Sequence, residues 1–229
     1  MSDKKNVQQV ETGEEVIAKA KDFWIKYSKL ILGAGTALIL LVGGFYVYKN
    51  FFQQPKEEKA AEAMFKAEDY YRKDSVRLAL NGDGQYLGFL KILSKYSGTE
   101  AANLASFYAG SCYIRLDDNV NAIKYLKKFS TNAKQIQQRA YKLLGDASAD
   151  LGKNADALDY YKKAAHHFEK DEANSAEALF MAAYFADRVM KNQKEAIELF
   201  KELKEKYPKT QQGFEADNYL AQLGVYNVN

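Results

Sequence analysis

The sequence predicts an all-α protein in which a single N-terminal transmembrane helix precedes an α-solenoid of about four helical pairs and a C-terminal capping helix. Only two prolines occur in 229 residues, which argues against a many-turned β-sandwich or barrel. One early segment carries no charge over nineteen residues, and the later sequence repeats at an interval of about 35 residues. With 47% hydrophobic residues, 28% charged residues and a net charge of +3, wholesale disorder is excluded.

The first predicted element is the transmembrane helix, residues 30–48. No charge occurs between Lys29 and Lys49, and nineteen helical residues at about 1.5 Å each reach roughly the 30 Å of a hydrocarbon core. A cleaved signal peptide is the alternative, but 29 residues precede the apolar segment and no small-x-small cleavage site follows it. Aromatic residues suited to the two headgroup layers flank the segment: Trp24, Tyr27, Tyr46, Tyr48, Phe51 and Phe52.

Charges around this helix favour a cytoplasmic N-terminus. Residues 1–29 hold six lysines and residues 49–68 hold four, which is a weak positive-inside bias. Residues 1–29 are therefore predicted to be a cytoplasmic segment, with the C-terminal domain outside the cytoplasm. Small residues within the span allow another helix to pack closely, although glycine is also simply common in transmembrane helices. The candidate packing residues are Gly33, Ala37, Gly43 and Gly44.

Beyond Pro55 the chain is polar and helical, and its pattern repeats. A small residue lets two helices approach closely, an apolar or aromatic residue fills the adjacent space, and proline ends the second helix. The repeat predicts helical pairs stacked in series. The residues that correspond at a constant interval of 35 are Gly110, Tyr113, Ala122 and Leu126 in one unit and Gly145, Ser148, Ala157 and Tyr161 in the next. A third unit follows with Ala196, Phe200, Leu203 and Pro208, in which Ala196 lies 39 residues after Ala157.

These units resemble the tetratricopeptide repeat (TPR), a helix-turn-helix of 34 residues. Leu144 and Gly145 match its large-small pair on the first helix. Ala196, Phe200 and Pro208 match its alanine, aromatic and terminal-proline positions. The resemblance implies a TPR-like α-solenoid.

An earlier, degenerate unit is predicted over residues 60–97. Its first helix is expected at about residues 57–73, and its ending KYSGT parallels KYPKT at the end of the third unit. Residues 211–223 are predicted to form one amphipathic helix that caps the open end of the stack. The repeat domain thus covers residues 60–229, after a juxtamembrane linker and helix start over residues 49–59.

The sequence contains no catalytic, cofactor or metal constellation, so an enzyme is not predicted. His166 and His167 are adjacent, about 100° apart on a helix, and no other ligand is spaced to complete a metal site with both. Cys112 is the only cysteine and is expected to be a buried apolar group. Residues 82–88, GDGQYLG, lack the flanking features of a phosphate loop and are interpreted as a flexible connection. Charges of both signs alternate without a basic stripe, which disfavours nucleic-acid binding.

In tetratricopeptide repeat proteins the first helix of each pair lines a concave groove. The resemblance implies the same surface in this chain, with positions taken in register with Gly110, Gly145 and Tyr184. Apolar residues beside cations suit an extended or helical peptide better than a small metabolite. The alternative is that these side chains pack against a neighbouring helix, including residues 57–73. The predicted partner-binding residues are Phe107, Ile114, Arg115, Arg139, Lys142, Asp146, Met181, Phe185 and Arg188.

The layout of one N-terminal anchor followed by a repeat domain resembles the YfgM-like family, ancillary subunits of the Sec translocon. The sequence of residues 82–110 also resembles, in general character, that of membrane-anchored repeat proteins of the Bacteroidota. The resemblance implies a non-enzymatic protein of the bacterial inner membrane that docks on SecYEG, recruits a PpiD-type periplasmic foldase and contacts exported chains. Two alternatives remain: a scaffold of another envelope complex (outer-membrane assembly, division, secretion or motility), and an enzyme or cytosolic adaptor.

Overall fold

The computed structural model describes residues 13–226, and over this range the protein is helical without a β-strand, which confirms the all-α class. The chain divides into two compact units, residues 1–55 and residues 56–229. In chain order the helices are α1 (Gly13–Tyr48), a π-helical turn (Lys49–Gln53), α2 (Gln54–Arg72), α3 (Val76–Asn81), α4 (Phe89–Lys95), α5 (Glu100–Arg115), α6 (Asn119–Leu126), α7 (Lys134–Asp150), α8 (Asn154–His167), α9 (Glu172–Arg188), α10 (Gln193–Lys206) and α11 (Gln211–Gln222).

Helix α1 of the first unit is apolar and unburied. Its most apolar part has no buried residue, and the side chains of Leu40 and Leu41 are 70% and 71% exposed. A helix of this length and composition is consistent with a single-pass membrane anchor. After Tyr48 the helix continues as the π-helical turn Lys49–Gln53, and the predicted end of the transmembrane segment at residue 48 stays a prediction. Residues 1–12 of the predicted cytoplasmic segment lie outside the described residues, and the orientation stays a prediction.

In the second unit the helices form pairs that stack in series. Helices α5, α7 and α9 pair with α6, α8 and α10 respectively, α11 follows as a cap, and α2 shares an apolar cluster with α3, α4 and α5 before the first of these pairs. Three apolar clusters are buried along the stack, and they include Phe89, Leu126 and Phe200 respectively. Because each cluster joins neighbouring helices, the core is a row of local layers, as in a solenoid.

The two glycines of the predicted register lie where a first helix is in tight contact with a second helix. A Cβ on Gly110 would be 2.5 Å from Leu126 Cγ, and a Cβ on Gly145 would be 2.6 Å from Tyr161 Cδ1. Both distances are shorter than real Cβ contacts, so only glycine fits without movement of its neighbour. The packing therefore has the same register in both pairs.

The first pair differs from the predicted one, because a short additional helix, α3, lies between α2 and α4. Residues 82–88, expected to be a flexible connection, form a hydrogen-bonded turn. The Tyr70 hydroxyl donates to Asp83 Oδ2 at 2.6 Å, and the Tyr86 N–H donates to Asp83 Oδ1 at 2.7 Å. These donors hold the pKa of Asp83 below its usual value. A Cβ on Gly82 would lie 2.3 Å from the Tyr86 carbonyl oxygen, so the turn requires glycine there.

The junction from α4 to α5 and the junction from α10 to α11 share one geometry. Thr99 caps α5 by accepting the Ala102 N–H, and Thr210 caps α11 by accepting the Gly213 N–H. Helix α11 therefore stands in the place of a first helix. An aromatic pair stacks across each junction: Phe89 on Tyr108 with ring centroids 5.0 Å apart, and Phe200 on Tyr219, also at 5.0 Å.

Candidate functional site

Three cavities with shared lining residues run along the first helices of the pairs. The α2–α5 cavity, about 590 Å³, lies between α2, α5 and the residues that connect α6 to α7. The central cavity, about 250 Å³, lies between α2, α5 and α7, and the α7–α9 cavity, about 500 Å³, lies between α7 and α9. Ile136 of α7 lines all three, and its side chain is 38% exposed. We call the three cavities together the groove.

The α2–α5 cavity has an apolar floor and an acidic rim. Met64 of α2 and Phe129, which follows α6, are buried beneath it, and Leu104 of α5 is partly buried beside them. The Glu57 carboxylate of α2 accepts the N–H groups of Glu100 and Ala101 at 2.8 Å each and thereby joins α2 to the start of α5. The glutamates that line the cavity are Glu57, Glu68 and Glu100.

The central cavity brings aromatic rings and charges together. Phe107 and Tyr108 of α5 meet edge to face, with centroids 5.6 Å apart. Glu68 and Arg139 also line this cavity. Burial raises the pKa of Glu68, and Arg72, whose Nη1 is 3.8 Å from the carboxylate, opposes that rise only in part. The cavity therefore offers an aromatic wall beside one carboxylate and the guanidinium groups of Arg72 and Arg139.

The α7–α9 cavity is more polar and contains both signs of charge. The Lys142 ammonium lies 3.1 Å from a Glu177 carboxylate oxygen across the cavity. Gln138 is buried at its base, where Nε2 donates to the Ala164 carbonyl oxygen at 3.0 Å and to Ser175 Oγ at 2.8 Å. Its Oε1 accepts no hydrogen bond from the described residues. These polar groups suit hydrogen-bonded contacts with a peptide.

Three of the nine predicted partner-binding residues line the groove. Phe107 lines the central cavity although it is 6% exposed, Arg139 lines both the central and the α7–α9 cavity, and Lys142 lines the latter. The structure thus brings these three together around Ile136. Their role in binding a partner remains a proposal.

Four other predicted residues pack within the helix stack and line none of these three cavities. Asp146 accepts the Tyr161 hydroxyl at 3.0 Å, and the Phe185 ring lies edge to face on Tyr161 with centroids 5.8 Å apart. Ile114 and Met181 are partly buried against apolar clusters. The alternative considered for these positions, packing against a neighbouring helix, describes what the structure shows for Phe185.

The remaining two predicted residues, Arg115 and Arg188, hold elements of the solenoid together. Arg115 pairs with Asp74 in the turn after α2 and lies over the Tyr71 ring. Arg188 donates from Nη2 to Gln222 Oε1 of the cap helix at 2.8 Å. Neither residue lines the groove.

Sequence reasoning missed Ile136 and the contribution of α2. Ile136 lies one helical turn before Arg139, which was predicted, and it is the only apolar residue in the run KQIQQR at the start of α7. An isolated apolar residue among polar ones was the sequence feature from which this groove residue could have been predicted. Met64 was overlooked because the degenerate first unit offered no glycine register from which to place the faces of α2.

The predicted transmembrane packing residues lie on α1. Ideal Cβ atoms on Gly33, Gly43 and Gly44 have nothing within 4 Å, and Ala37 is exposed. These positions are open to another helix in the first unit taken by itself. Their packing role stays a prediction.

Two groups resemble chemical sites but have simpler explanations. Ligand atoms of His166, Glu169 and Glu202 lie within 4.8 Å of one another, but the Lys206 ammonium is 2.7 Å from Glu169 Oε1 and 3.1 Å from Glu202 Oε1. A protein cation already neutralises these carboxylates. Cys112 is fully buried, and burial raises its pKa to about 12, so the thiol is a poor nucleophile at neutral pH.

Comparison with known families identifies the repeat. The tetratricopeptide repeat profile matches residues 104–134 and residues 177–210. The first match covers most of α5, all of α6 and the start of α7, and the second covers most of α9 and all of α10. The match supports the TPR-like solenoid. A search of curated proteins finds no match.

Proposed function

We propose that this chain is a non-enzymatic, membrane-anchored scaffold that binds a partner protein in the groove. Tetratricopeptide repeats indicate a protein–protein interaction scaffold in general. The observation that carries the proposal is the exposed Ile136 side chain at the point where three cavities meet. Apolar side chains in pockets, surrounded by polar groups, are typical of binding hot spots.

The specific complex that we propose is the Sec translocon. Helix α1 crosses the inner membrane with its N-terminus in the cytoplasm and docks on SecYEG, while the periplasmic repeat domain recruits a PpiD-type foldase and contacts exported chains. The support is the resemblance in layout to YfgM-like proteins, together with an apolar α1 that precedes a TPR-like solenoid in the sequence. Phe107, Arg139 and Lys142 then belong to the foldase-binding surface.

The test of the complex is in-cell cross-linking, gentle solubilisation and mass spectrometry of proteins that co-purify with a C-terminal tag. We expect SecY, SecE, SecG and a periplasmic foldase. Enrichment of a different envelope complex would retain the scaffold and discard the translocon assignment. The anchor and the groove are tested separately, because Ile136 lies in the second unit.

The test of the groove is Ile136→Arg, which places a charge where the three cavities meet. We expect at least a tenfold loss of the foldase, with SecY recovery retained through α1. The matched control is Val120→Arg, since Val120 is 65% exposed on a second helix and lines none of the three cavities. Equal recovery of every partner from both variants would contradict the groove as the binding surface.

Orientation is tested by a single exposed cysteine. In a Cys112→Ala background, Lys209→Cys places a thiol in the exposed turn before α11. A periplasmic domain predicts labelling by a membrane-impermeant maleimide after the outer membrane alone is permeabilised. Labelling only after disruption of the inner membrane would reverse the orientation.

A further inference from the structure

The α2–α5 cavity is large enough for a side chain of a partner and has one sign of charge at its rim. Its volume of about 590 Å³ falls among those of ligand pockets, about 300–1,000 Å³. Met64, Leu104, Phe129 and Ile136 provide apolar surface inside it. Among the described residues that line it, three are glutamates and none is Lys, Arg or His.

The start of α5, which borders this cavity, offers no free amide to an anion. A helix N-terminus ordinarily attracts negative charge through unpaired N–H groups. Here Glu57 accepts the N–H groups of Glu100 and Ala101, and Thr99 Oγ1 accepts the N–H of Ala102 at 3.0 Å. A carboxylate from a partner therefore meets negative charge without a backbone donor at this helix end.

The amide side chain beside the helix start is also occupied. Asn103 Nδ2 donates to the Ser130 carbonyl oxygen at 2.7 Å, and Asn103 Oδ1 accepts the Ser130 N–H at 3.2 Å. This pair fixes the segment that follows α6 against α5. The Asn103 amide is therefore used within the protein and does not offset the acidic character of the rim.

Glu68 provides a carboxylate with incomplete compensation. It lines both the α2–α5 and the central cavity, and its ion pair with Arg72 is long, at 3.8 Å. Burial raises its pKa, which means that the ionised form is incompletely solvated. A cation from a partner would stabilise that ionised form. Glu100, exposed at the other side of the cavity, offers a second carboxylate.

We infer that the α2–α5 cavity binds a partner segment in which an apolar side chain is flanked by lysine or arginine. The apolar side chain enters between Met64, Leu104 and Ile136, while the flanking cations lie against Glu68 and Glu100. This inference rests on the proposed function of the groove as a protein-binding surface and specifies the chemistry of the segment bound there. Acidic and uncharged apolar segments are the alternatives that the test separates.

The test uses the full chain in nanodiscs of phosphatidylcholine, a lipid without net charge that does not attract the probes electrostatically. Three fluorescent twelve-residue helical peptides share one leucine stripe and carry lysine, glutamate or glutamine at the other positions. Fluorescence anisotropy measures their affinities. We expect the lysine peptide to bind at least about tenfold more tightly than the glutamate peptide, with the preference weakened as salt screens the rim.

The decisive variant is Glu68→Gln with Glu100→Gln, which removes two rim charges with little change of shape. We expect the preference for the lysine peptide to fall about fivefold to tenfold. The matched control is Glu62→Gln with Glu172→Gln: Glu62 is exposed on α2, and Glu172 begins α9 as Glu100 begins α5. The control should retain the preference, and far-ultraviolet circular dichroism should be the same for both variants.

Three results would overturn the inference: equal affinity for all three peptides, no binding of any peptide, or a lysine preference that survives the decisive variant unchanged. These results leave the scaffold itself intact when Ile136→Arg still removes the foldase in cells. Conversely, foldase recovery unaffected by Ile136→Arg overturns the proposed function whatever the peptides do. The two failures are therefore distinguishable.

Discussion

The two central pairs, α5–α6 and α7–α8, use one 35-residue register and fill it with different side chains. In the first pair, Gly110 faces Leu126. In the second, Gly145 faces Tyr161, whose ring is larger and carries a hydroxyl. The comparison teaches that the register specifies where two helices approach, whereas the side chain that fills the space can change in size and polarity.

The hydroxyl in the second pair is matched by a polar residue beside its glycine. Tyr161 is 2% exposed and donates to Asp146 Oδ1 at 3.0 Å. The corresponding residue of α5 is Ser111, whose hydroxyl is hydrogen-bonded to the hydroxyl of Tyr71 at 2.7 Å. A buried hydroxyl without a hydrogen-bond partner is costly. Asp146 therefore allows a tyrosine to occupy the position that a leucine fills in the first pair.

The largest loss of unfolding free energy is expected when the apolar side chain that faces Gly110 is truncated. Leu126→Ala removes a side chain that is 1% exposed and should lower the free energy of unfolding by about 3 kcal/mol, because a cavity is left against Gly110. Urea unfolding of the full chain in detergent, followed by circular dichroism, measures the loss. Val120→Ala on the same helix should change it by less than about 0.5 kcal/mol. Equal losses would contradict a close-packed α5–α6 contact.

A smaller loss of unfolding free energy is expected when a methyl group is added to the glycine that faces the apolar side chain. Gly110→Ala places a Cβ 2.5 Å from Leu126 Cγ and should cost about 2 kcal/mol. Gly145→Ala should cost at least as much, because it meets a rigid ring at 2.6 Å. The double variant Gly110→Ala with Leu126→Ala should lose about 1 kcal/mol less than the sum of the single losses. Strict additivity would show that the two positions are independent.

The α4–α5 and α10–α11 junctions allow a second comparison, in which smaller losses of stability are expected. In each, the N–H of Thr99 or Thr210 closes a turn, but Gly98 has φ of +83°, whereas Pro208 and Lys209 need no positive φ. Gly98→Ala should cost about 1 kcal/mol, and Lys209→Ala almost nothing, in the same urea measurement. Similar costs at both sites would mean that the turns do not differ in backbone strain.

The sequence predicted those parts of the fold that depend on short-range pattern. The spacing of Gly110 and Gly145 placed the pairs correctly because a missing side chain is visible in the sequence and has one geometric use. The endings KYSGT and KYPKT indicated that the degenerate unit corresponds to the third unit, and the two junctions that follow them share a threonine cap and an aromatic stack. Helix α3 was missed, since a helix of six residues is too short to show a helical period, even though Gly82 follows its last residue.

The groove was predicted less well because its position depends on packing between units. Phe107, Arg139 and Lys142 line the groove. Phe185 instead packs against Tyr161, and Arg188 is hydrogen-bonded to the cap helix. A register identifies the face of a helix that meets its partner. It does not identify which other residues remain open once the next unit has packed.

The smallest effect concerns the titration of Asp146. Burial raises the pKa of this carboxyl above its ordinary value of 3.8, although the Lys142 ammonium at 3.9 Å and the Tyr161 hydroxyl oppose the rise. Between the unfolded and the folded pKa, the folded chain binds a proton that the unfolded chain does not. The stability from this group is therefore full below the unfolded pKa and is lost as the pH rises through the folded pKa.

Asp146→Asn keeps an oxygen that can accept the Tyr161 hydroxyl and removes the titration. At pH 7 the variant should be more stable than the natural chain by less than about 1 kcal/mol, and the difference should shrink as the pH falls towards 4. Urea midpoints at pH 7, 5.5 and 4 measure it. Ser111→Ala is the counterpart in α5 and should differ from the natural chain equally at all three values, because serine does not titrate there. A difference for Asp146→Asn that grows on acidification would mean that Lys142 and Tyr161 stabilise the carboxylate more than burial opposes it, which would reverse the account of how the second pair accommodates its tyrosine.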